Sequence, residues 1–304
     1  FVHLHAHTEY SMLDGAAKIV DYLKKVKELN QPAAAITDHG NLYGAMEFVQ
    51  KANDLGIKPI IGYEAYITPG SRFDRPDREN NKRYHLTLLA ENNIGYQNLV
   101  ELVSKAYTEG YYYKPRIDYE LLEQHHDGLI ALSGCLGGEL AQHLAPDGSV
   151  EEGNTSNERS FEKALEVAKK YQSIFGKNNY FIEIHNHGIK QQLDILDDLV
   201  EIAELIEAPL VAANDSHYVE ENGAEAHDAL LCVQTNRTLD DESRFRFDGS
   251  GYYVKSSEEM RKLFPQDKYP DACDNTIAIA HRVNYEFNFD NSYLPDFPID
   301  EKNV

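Results

Sequence analysis

Short apolar runs alternate with helix-like stretches about seven times along this 304-residue chain. The runs are typical of β-strands and lie at residues 2–7, 33–37, 59–64, 84–89, 129–133, 180–184 and 209–213. Between the early strands, apolar residues recur at helical spacing, from Ile19 to Leu29 and from Leu42 to Leu55. Strands that alternate with helices predict parallel pairing, and seven such units favour a barrel over an open sheet. The sequence therefore predicts an α/β fold, a distorted (β/α)7 barrel.

The composition limits the classes of protein to which this chain can belong. With 42% hydrophobic residues, 304 residues can bury the core of one large α/β domain, and a second catalytic domain would not fit comfortably. No apolar run approaches the ~20 residues that a membrane span needs, and the first residues lack the basic and apolar regions of a signal peptide. We therefore expect a soluble, cytoplasmic protein with no membrane partner.

The chain is strongly acidic, with 51 Asp and Glu residues against 29 Lys and Arg residues and a formal charge of -22. Proteins usually bind DNA through Lys and Arg side chains that displace counterions from phosphates, and this charge balance opposes such binding. If the substrate is a nucleic acid, bound metals or another domain must supply the attraction.

The three cysteines are too widely spaced for a Cys-x-x-Cys pair, and disulfides are not expected. Cys232 and Cys273 fall in helix-like stretches, where ordinary packing explains them. Cys135 stands among glycines at a strand end, a setting for a metal ligand or a nucleophile. The many histidines at metal-like spacing favour a ligand.

Nine side chains that can bind metal ions lie at or just after the ends of the predicted strands. A side chain at the carboxyl end of a barrel strand points into the barrel mouth, so residues distant in sequence can converge there. Imidazole, carboxylate and a single thiolate suit Zn, Mn or Fe better than Mg or Ca, which prefer oxygen ligands. The predicted ligands, enough for three ions, are His5, His7, Asp14, His39, Glu64, His85, Cys135, Asp215 and His217.

Several of these residues have an ordinary structural explanation when they are taken alone, whereas for Glu64 and Cys135 a ligand is favoured. A His-x-His pair can lie on a solvated strand face, Asp14 can cap a helix, and His85 can be a core histidine with one satisfied nitrogen. For His39 the two explanations are level, and Asp38 is positioned to orient its ring. Nine independent coincidences at strand ends are far less plausible than one shared site, so the joint pattern indicates a multi-metal enzyme domain.

Two stretches break the alternation of strands and helices. Residues 68–82 are rich in Pro, Arg, Asp and Asn without periodicity, and residues 145–157 join a Pro-Asp-Gly turn to an acidic polar run. Both are predicted to be mobile surface loops.

Six segments of the chain resemble one known family. They are His-Leu-His-Ala-His-Thr-Glu-Tyr-Ser-Met-Leu-Asp-Gly at 3–15, Thr-Asp-His-Gly-Asn at 37–41, Gly-Tyr-Glu-Ala-Tyr at 62–66, Tyr-Tyr-Lys-Pro-Arg-Ile-Asp at 112–118, Ser-Gly-Cys at 133–135 and Asn-Asp-Ser-His-Tyr at 214–218. They resemble the PHP (polymerase and histidinol phosphatase) domain, in the form that begins the bacterial replicative DNA polymerase III alpha subunit.

This resemblance covers about residues 1–294 and implies a PHP-like barrel related to the TIM barrel, with a metal cluster at the carboxyl ends of its strands. It implies a phosphoesterase domain at 1–285. Residues 286–304 would then be a linker towards a polymerase module that is absent from this chain.

The resemblance also implies that three divalent ions are held by three sets of ligands, and the donor types favour zinc or manganese, with iron as a third choice. The sets are His5, His7, Glu64 and Asp215; Glu64, His85 and Cys135; and Asp14, His39 and His217. Glu64 would bridge two ions, and Glu64 and Asp215 would serve catalysis through the metals that activate a water. Family members that lost catalysis have ligands replaced, and none is replaced here, which favours an active domain.

Family members with intact sites are 3′–5′ exonucleases, which implies proofreading hydrolysis of phosphodiesters during DNA replication. The implied partners are the 3′ end of a DNA primer, the rest of the alpha subunit and, through the full-length protein, a sliding clamp or a separate proofreading subunit. His187 is a candidate substrate contact. Glu183 and His185 on the same strand are further candidates for supporting roles, although solvated positions explain all three nearly as well.

Two other functions stay open at this point. A small-molecule phosphatase of the histidinol phosphatase type would use the same metal chemistry on another substrate. A catalytically silent, metal-stabilised scaffold would brace the polymerase and dock a separate exonuclease.

Overall fold

A single mixed β-sheet forms the centre of the fold in the computed structural model, which describes residues 1–77, 80–146, 158–287 and 289. Its strands are β1 (Ala33–Ile36), β2 (Lys58–Ile67), β3 (Tyr84–Ala90), β4 (Arg116–Ile117), β5 (Leu129–Leu132), β6 (Tyr180–Ile184) and β7 (Leu210–Ala212). Their order across the sheet is β1-β2-β3-β5-β6-β7, with β4 paired to β2. Six of the seven predicted strands therefore exist, and the very short β4 is an addition.

Strand β3 runs against its neighbours. It pairs antiparallel with both β2 and β5, whereas β1–β2, β5–β6 and β6–β7 are parallel. The prediction of wholly parallel pairing is wrong at this strand. The described part of the link between β2 and β3, residues 68–77 and 80–83, contains no helix that would carry the chain back across the sheet. Strand β3 starts beside the end of β2, with Tyr84 opposite Ile67.

The segment 3–7 joins the two edges of the sheet. The backbone N–H of Ala35 in β1 donates to the carbonyl of His3 at 3.0 Å, and the N–H of His7 donates to the carbonyl of Ser216, just after β7, at 2.8 Å. The predicted first strand is thus an extended connector with only isolated bridge pairing. Because both edges bond to it, the sheet is curled, and the predicted distorted α/β barrel class is confirmed.

Ten helices are found among the described residues, and they follow the sequence signals for helix starts and ends. Side chains of Asn92, Asp118, Ser160 and Ser256 each accept a hydrogen bond from the backbone three residues on, which caps a helix start. None of these helices combines the length and apolar character needed to cross a bilayer. The helices are α1 (Ile19–Glu28), α2 (Ala45–Leu55), α3 (Asn93–Thr108), α4 (Tyr119–Gln124), α5 (Glu139–Leu144), α6 (Phe161–Phe175), α7 (Lys190–Ile206), α8 (Ala224–Thr235), α9 (Ser257–Leu263) and α10 (Asp274–Arg282).

Alternation along the strands divides the core between the two faces of the sheet. In β2, Ile61 and Tyr63 pack with helices α3, α5, α6 and α7. Ile60, on the other face, packs with Leu89 of β3, Phe181 of β6 and helix α10. This second face carries apolar residues at one end of the strands. Its polar residues at the other end, starting with Glu64, form the site described next.

The two segments predicted to be mobile loops have different outcomes. Much of 68–82 is anchored to the domain, because the buried Arg72 side chain bonds to Asp118 and Glu109. Residues 147–157 of the second segment lie outside the described residues. Most of the predicted linker at 286–304 also lies outside them, and the predicted boundary at residue 285 stays a prediction.

Candidate metal centre

The structure brings all nine predicted ligands to one rim of the curled sheet. His5 and His7 lie in the edge-joining segment and Asp14 in the turn that follows it, whereas Asp215 and His217 follow β7. His39 comes three residues after β1, where it pairs with Glu64 as an isolated bridge, and Cys135 follows β5. Glu64 lies inside β2 rather than at its end, since β2 continues to Ile67.

The position of His85 is explained by the direction of β3. His85 is the second residue of that strand, which would place it at the wrong end of a parallel sheet. Because β3 is antiparallel, its beginning lies at the same rim as the ends of β2 and β5, and His85 pairs with Tyr66. The reversed strand therefore delivers a histidine to the site.

The deepest group of side chains is the first implied ligand set. The Nε2 atom of His5 lies 3.3 Å from Glu64 Oε1 and 3.4 Å from Asp215 Oδ1. The Nε2 atom of His7 lies 3.5 Å from Glu64 Oε2 and 3.1 Å from Asp215 Oδ1. Both histidines and Glu64 are at most 1% exposed. Five potential ligand atoms from four residues thus lie close together in a buried position.

The other two implied sets lie on either side of Glu64. His85 Nδ1 is 2.9 Å from Glu64 Oε1, and Cys135 Sγ is 3.7 Å from both of these atoms. On the other side of Glu64, His39 lies between two carboxylates. Its Nδ1 atom is 2.6 Å from Glu64 Oε2, and its Nε2 atom is 2.7 Å from Asp14 Oδ2. Glu64 is therefore shared among all three sets.

His217 completes the third set, with its Nε2 atom 3.6 Å from Asp14 Oδ2. This set contains the two most exposed of the nine side chains, His39 at 16% and Asp14 at 13%, although His217 is only 2% exposed. In the first set, Asp215 is 12% exposed, whereas His5 and His7 are 0% exposed. A ligand from solvent therefore reaches His39, Asp14 and Asp215 before it reaches His5 and His7.

Three histidines are held so that Nδ1 is bonded within the protein and Nε2 points into the site. The Nδ1–H of His5 donates to Glu183 at 2.7 Å, and that of His217 donates to the backbone carbonyl of Asp215 at 2.8 Å. His7 Nδ1 lies 2.8 Å from the Ser11 hydroxyl. A histidine whose Nδ1 donates leaves Nε2 as an acceptor or metal ligand.

These inward-facing atoms lie close to one another, as His39 Nδ1 and Glu64 Oε2 do at 2.6 Å, but none of them makes a well-aligned hydrogen bond with a described residue. Burial of such atoms without a partner is costly, and a divalent cation at their centre would satisfy them together. Imidazole, carboxylate and thiolate donors fit a transition metal such as zinc or manganese. The unpartnered atoms are the Nε2 atoms of His5, His7 and His217, the Nδ1 atom of His39, Glu64 Oε2 and Asp215 Oδ1.

Without a bound cation, protons on histidines balance the carboxylates. Burial acts to raise the pKa of Glu64, but the charge of His85 and its neighbours outweighs burial and holds that pKa well below its usual value. Asp14 and Asp215 have lowered pKa values by the same balance. Burial acts to lower the pKa of His39, but Glu64 and Asp14 raise it to about 9. Metal binding must therefore displace protons.

Burial acts to lower the pKa values of His5 and His217, but Asp215 and neighbouring carboxylates raise both of them. His7 and Cys135, in contrast, stay uncharged. Burial, helped by the charges of His39 and His217, lowers the pKa of His7 to about 3. Burial and the adjacent Glu64 raise the pKa of the Cys135 thiol to about 11, so it is no nucleophile at neutral pH. A cation in the site would reverse the influence on Cys135 and favour its thiolate.

Asp38 supports a different residue from the one predicted. Its carboxylate accepts hydrogen bonds from the Thr8 backbone at 2.6 Å and the Ser11 hydroxyl at 2.9 Å. Ser11 in turn bonds to His7. The prediction that Asp38 orients the ring of His39 is wrong. The turn after His7 folds back over Asp38, and Thr8 and Ser11 of this turn donate hydrogen bonds to its carboxylate.

Glu183 is a supporting residue whose importance the sequence left undecided. It is 1% exposed, which excludes a solvated position. Besides His5, its carboxylate accepts from the backbone N–H of Gly134 at 2.9 Å and lies 2.9 Å from His185 Nε2. Its position two residues beyond Phe181, on the inward face of β6, was the available signal.

The ring of His187 is bonded on both sides within the protein. Its Nε2 atom lies 2.8 Å from the carbonyl of Asn214 and its Nδ1 atom 2.9 Å from the amide of Gln192. The ring also stacks on Tyr252 at 3.9 Å. A substrate contact through this ring stays a prediction.

This curled α/β sheet with a rim of buried histidines and carboxylates defines the class of protein. Residues 3–187, more than half of the chain, match the PHP domain family, and the chain belongs to that family.

Among individual proteins, the chain matches the N-terminal region of DNA polymerase III alpha subunits. It is 46% identical to that of Thermus aquaticus over 99% of this chain and 24% of that protein. For the alpha subunit of Mycobacterium tuberculosis the identity is 47% over 93% of this chain and 24% of that protein. The chain thus spans about a quarter of the length of these relatives.

Among solved structures, a two-domain protein from Bacteroides vulgatus, described as containing a predicted PHP-like metal-dependent phosphoesterase, superposes with a TM-score of 0.41. The two are 12% identical, and the match covers 85% of this chain and 61% of that chain.

Proposed function

We propose that this chain is a metal-dependent phosphodiesterase that removes nucleotides from a DNA 3′ end, the proofreading 3′–5′ exonuclease of a replicative polymerase alpha subunit. One observation carries the proposal. Nine side chains from seven separate parts of the chain meet at one rim, and several of their buried donor and acceptor atoms have no hydrogen-bond partner among the described residues. The relatedness to polymerase alpha subunits supports DNA as the substrate.

Up to three divalent ions, zinc or manganese with iron as a third choice, would be held by the sets described above. When bound, such ions supply Lewis-acid chemistry: they activate water near neutral pH and neutralise charge on phosphoryl oxygens. Glu64 contacts members of all three sets, so it would fix the spacing between ions.

The chain's own residues set the geometry in which that chemistry takes place. Glu183, Ser11 and the Asp215 carbonyl fix the rings of His5, His7 and His217, so these ligands need no reorganisation. The burial of His5 and His7 excludes bulk water from the deep side of the site. The scissile phosphate would approach from the more exposed third set.

The rest of the alpha subunit is the proposed partner, with a sliding clamp or a separate proofreading subunit reached through it. Because the relatives are about four times longer than this chain, other parts of such a protein are available to bring DNA to the site. Bound cations would also offset the local negative charge of the chain.

The decisive experiment compares hydrolysis of a 3′-mismatched primer by the parent chain and by Asp215→Asn. We expect the parent to release single nucleotides from the 3′ end with manganese or zinc and not with chelator. The variant should lose at least about a hundredfold in rate, since even supporting residues of metal sites cause losses of this size. His281→Asn is the matched control, because this exposed histidine lies near the start of β2, at the opposite end of the sheet.

Two results would replace the proposal with another function. Hydrolysis of a simple phosphomonoester without any release from DNA would indicate a small-molecule phosphatase. A lower melting temperature in chelator, with no hydrolysis of either substrate by metal-loaded protein, would indicate a metal-stabilised scaffold.

A further inference from the structure

A basic and aromatic segment lies beside the metal centre, in an otherwise acidic chain. Residues 244–247 read Arg-Phe-Arg-Phe and are here called the Arg-Phe segment. They belong to the connection between helix α8 and residues 252–254, which return alongside the ligand His217: the His217 N–H donates to the carbonyl of Tyr252 at 2.8 Å. Chain connectivity therefore holds the Arg-Phe segment over the rim.

The two phenylalanines extend outwards from a predicted metal ligand. The ring of Phe247 lies 4.7 Å from His217 and 4.6 Å from Tyr252, centroid to centroid. The ring of Phe245 lies 5.8 Å from Phe247 and is 39% exposed. A series of rings thus runs from the metal centre to solvent, and its outer end offers an aromatic surface.

The two arginines have different environments. Arg244 forms an ion pair with Asp228, so its charge is already balanced. Arg246, between the two phenylalanines, is exposed and makes no ion pair with any residue that the structure describes. An unbalanced cation between aromatic rings is a combination that single-stranded nucleic acids bind, because bases stack on the rings and phosphates pair with the cation.

We infer that the Arg-Phe segment binds the unpaired 3′-terminal nucleotides of single-stranded DNA, with Phe245 stacking on a base and Arg246 contacting a phosphate. This inference rests on the proposed exonuclease function, and it names the surface that leads the strand to the metals. It also identifies a local source of DNA affinity in a chain of formal charge -22.

The binding test uses the 304-residue chain in manganese with a fluorescent oligothymidylate whose phosphorothioate linkages slow hydrolysis, followed by fluorescence anisotropy. Phe245→Ala should weaken binding about tenfold, the range expected for one stacked base. Phe289→Ala is the matched control, because Phe289 is 43% exposed and packs near Phe287, away from the rim. An oligonucleotide without bases should bind the parent and Phe245→Ala equally well.

The charge test compares Arg246→Gln with Lys51→Gln, which removes one positive charge from the exposed side of helix α2. Arg246→Gln should weaken binding and reduce the slope of log affinity against log salt by about 0.7, the value for one phosphate contact on a single strand. Asp248→Asn, which removes the exposed carboxylate next to the segment, should tighten binding.

Binding within twofold of the parent for both Phe245→Ala and Arg246→Gln would overturn the inference, as would equal losses in the controls. Normal primer hydrolysis together with such unchanged binding would leave the exonuclease proposal standing without this surface. Weakened binding of the variants with no hydrolysis by the parent would instead keep the surface and remove the exonuclease function.

Discussion

Two buried polar regions of this protein differ in whether their polar atoms are satisfied by hydrogen bonds. In the metal centre, buried nitrogens and oxygens face one another without hydrogen-bond partners among the described residues. Around the fully buried Arg116, every guanidinium nitrogen donates to an oxygen of the protein. The acceptors are Gly110 O at 3.0 Å, Asn81 Oδ1 at 3.1 Å, Arg72 O at 3.1 Å and Asp74 O at 2.7 Å.

This difference distinguishes a region that stabilises the fold from a region that can bind a ligand. Arg116 holds the segment after β2 against the domain, and four of its five N–H donors bond to oxygens of the protein. The metal centre keeps unsatisfied donors and acceptors at a rim that is close to solvent. A buried charge by itself therefore does not indicate a binding site. Buried polar atoms that lack hydrogen bonds are the informative observation.

The largest expected effect on stability comes from the satisfied region. Arg116→Met removes all four hydrogen bonds and leaves backbone carbonyls buried without donors, so we expect a loss of about 3–5 kcal/mol. The loss should be the same with metal and with chelator, measured by urea unfolding. Arg159→Met, which removes an exposed ion pair with Asp198, should cost less than about 1 kcal/mol. Equal losses for the two variants would contradict the comparison.

Removal of metal is the next largest effect and acts only on the unsatisfied region. If free metal stands at about a thousand times its dissociation constant, binding stabilises the folded state by about 4 kcal/mol, and chelator should lower the melting temperature by roughly 10 °C. Re-addition of manganese or zinc should restore it. An unchanged melting temperature in chelator, with metal content verified before and after, would break the comparison.

The metal-free protein should lose stability as the pH rises from 6.5 to 9. The folded pKa of His39 is raised to about 9 by Glu64 and Asp14 against the effect of burial, so its contribution is complete below 6.5 and is lost on passing 9. The expected loss is up to about 3 kcal/mol. Metal-loaded protein has already released this proton and should show no such decline. A decline of equal size with bound metal would argue against proton displacement at the site.

The smallest expected effect tests the supporting carboxylate of the metal centre. Glu183→Gln should reduce metal affinity about 10- to 100-fold, because the amide orients the ring of His5 less strongly than the carboxylate does. Glu139→Gln is the matched control: Glu139 is also buried and accepts from Tyr119 and Tyr171, yet neither tyrosine is a predicted ligand. Metal titration should separate the two variants, and equal affinities would contradict a role for Glu183.

The local sequence was sufficient for most of the elements and for choosing the side chains that the structure brings to one rim. Apolar runs ended in His, Asp or Glu, as at Ala33–Ile36 before His39, and parallel neighbours bring such ends together. The partners of each ligand could not be predicted. Whether Asp38 meets His39 or Ser11 depends on how the turn after His7 folds back, which involves contacts between distant segments.

Strand direction was a second feature that the sequence could not predict. The sequence of Tyr84–Ala90 is the same whether the strand runs up or down, and only the missing helix before it indicated a reversal. The burial of Arg116 could not be predicted from the local sequence either. It stands in a stretch of tyrosine, lysine and proline that reads as surface, yet it is fully buried because backbone carbonyls of two loops converge on it.

The connector at residues 3–7 has a consequence for the order of folding. Its histidines reach their places only when Ser216 and its neighbours have been synthesised, roughly two hundred residues later. Contacts so far apart in sequence form slowly. Under the proposed function, metal would therefore enter the site late in maturation, and a ribosome-bound chain that ends before Ser216 should be unable to retain it.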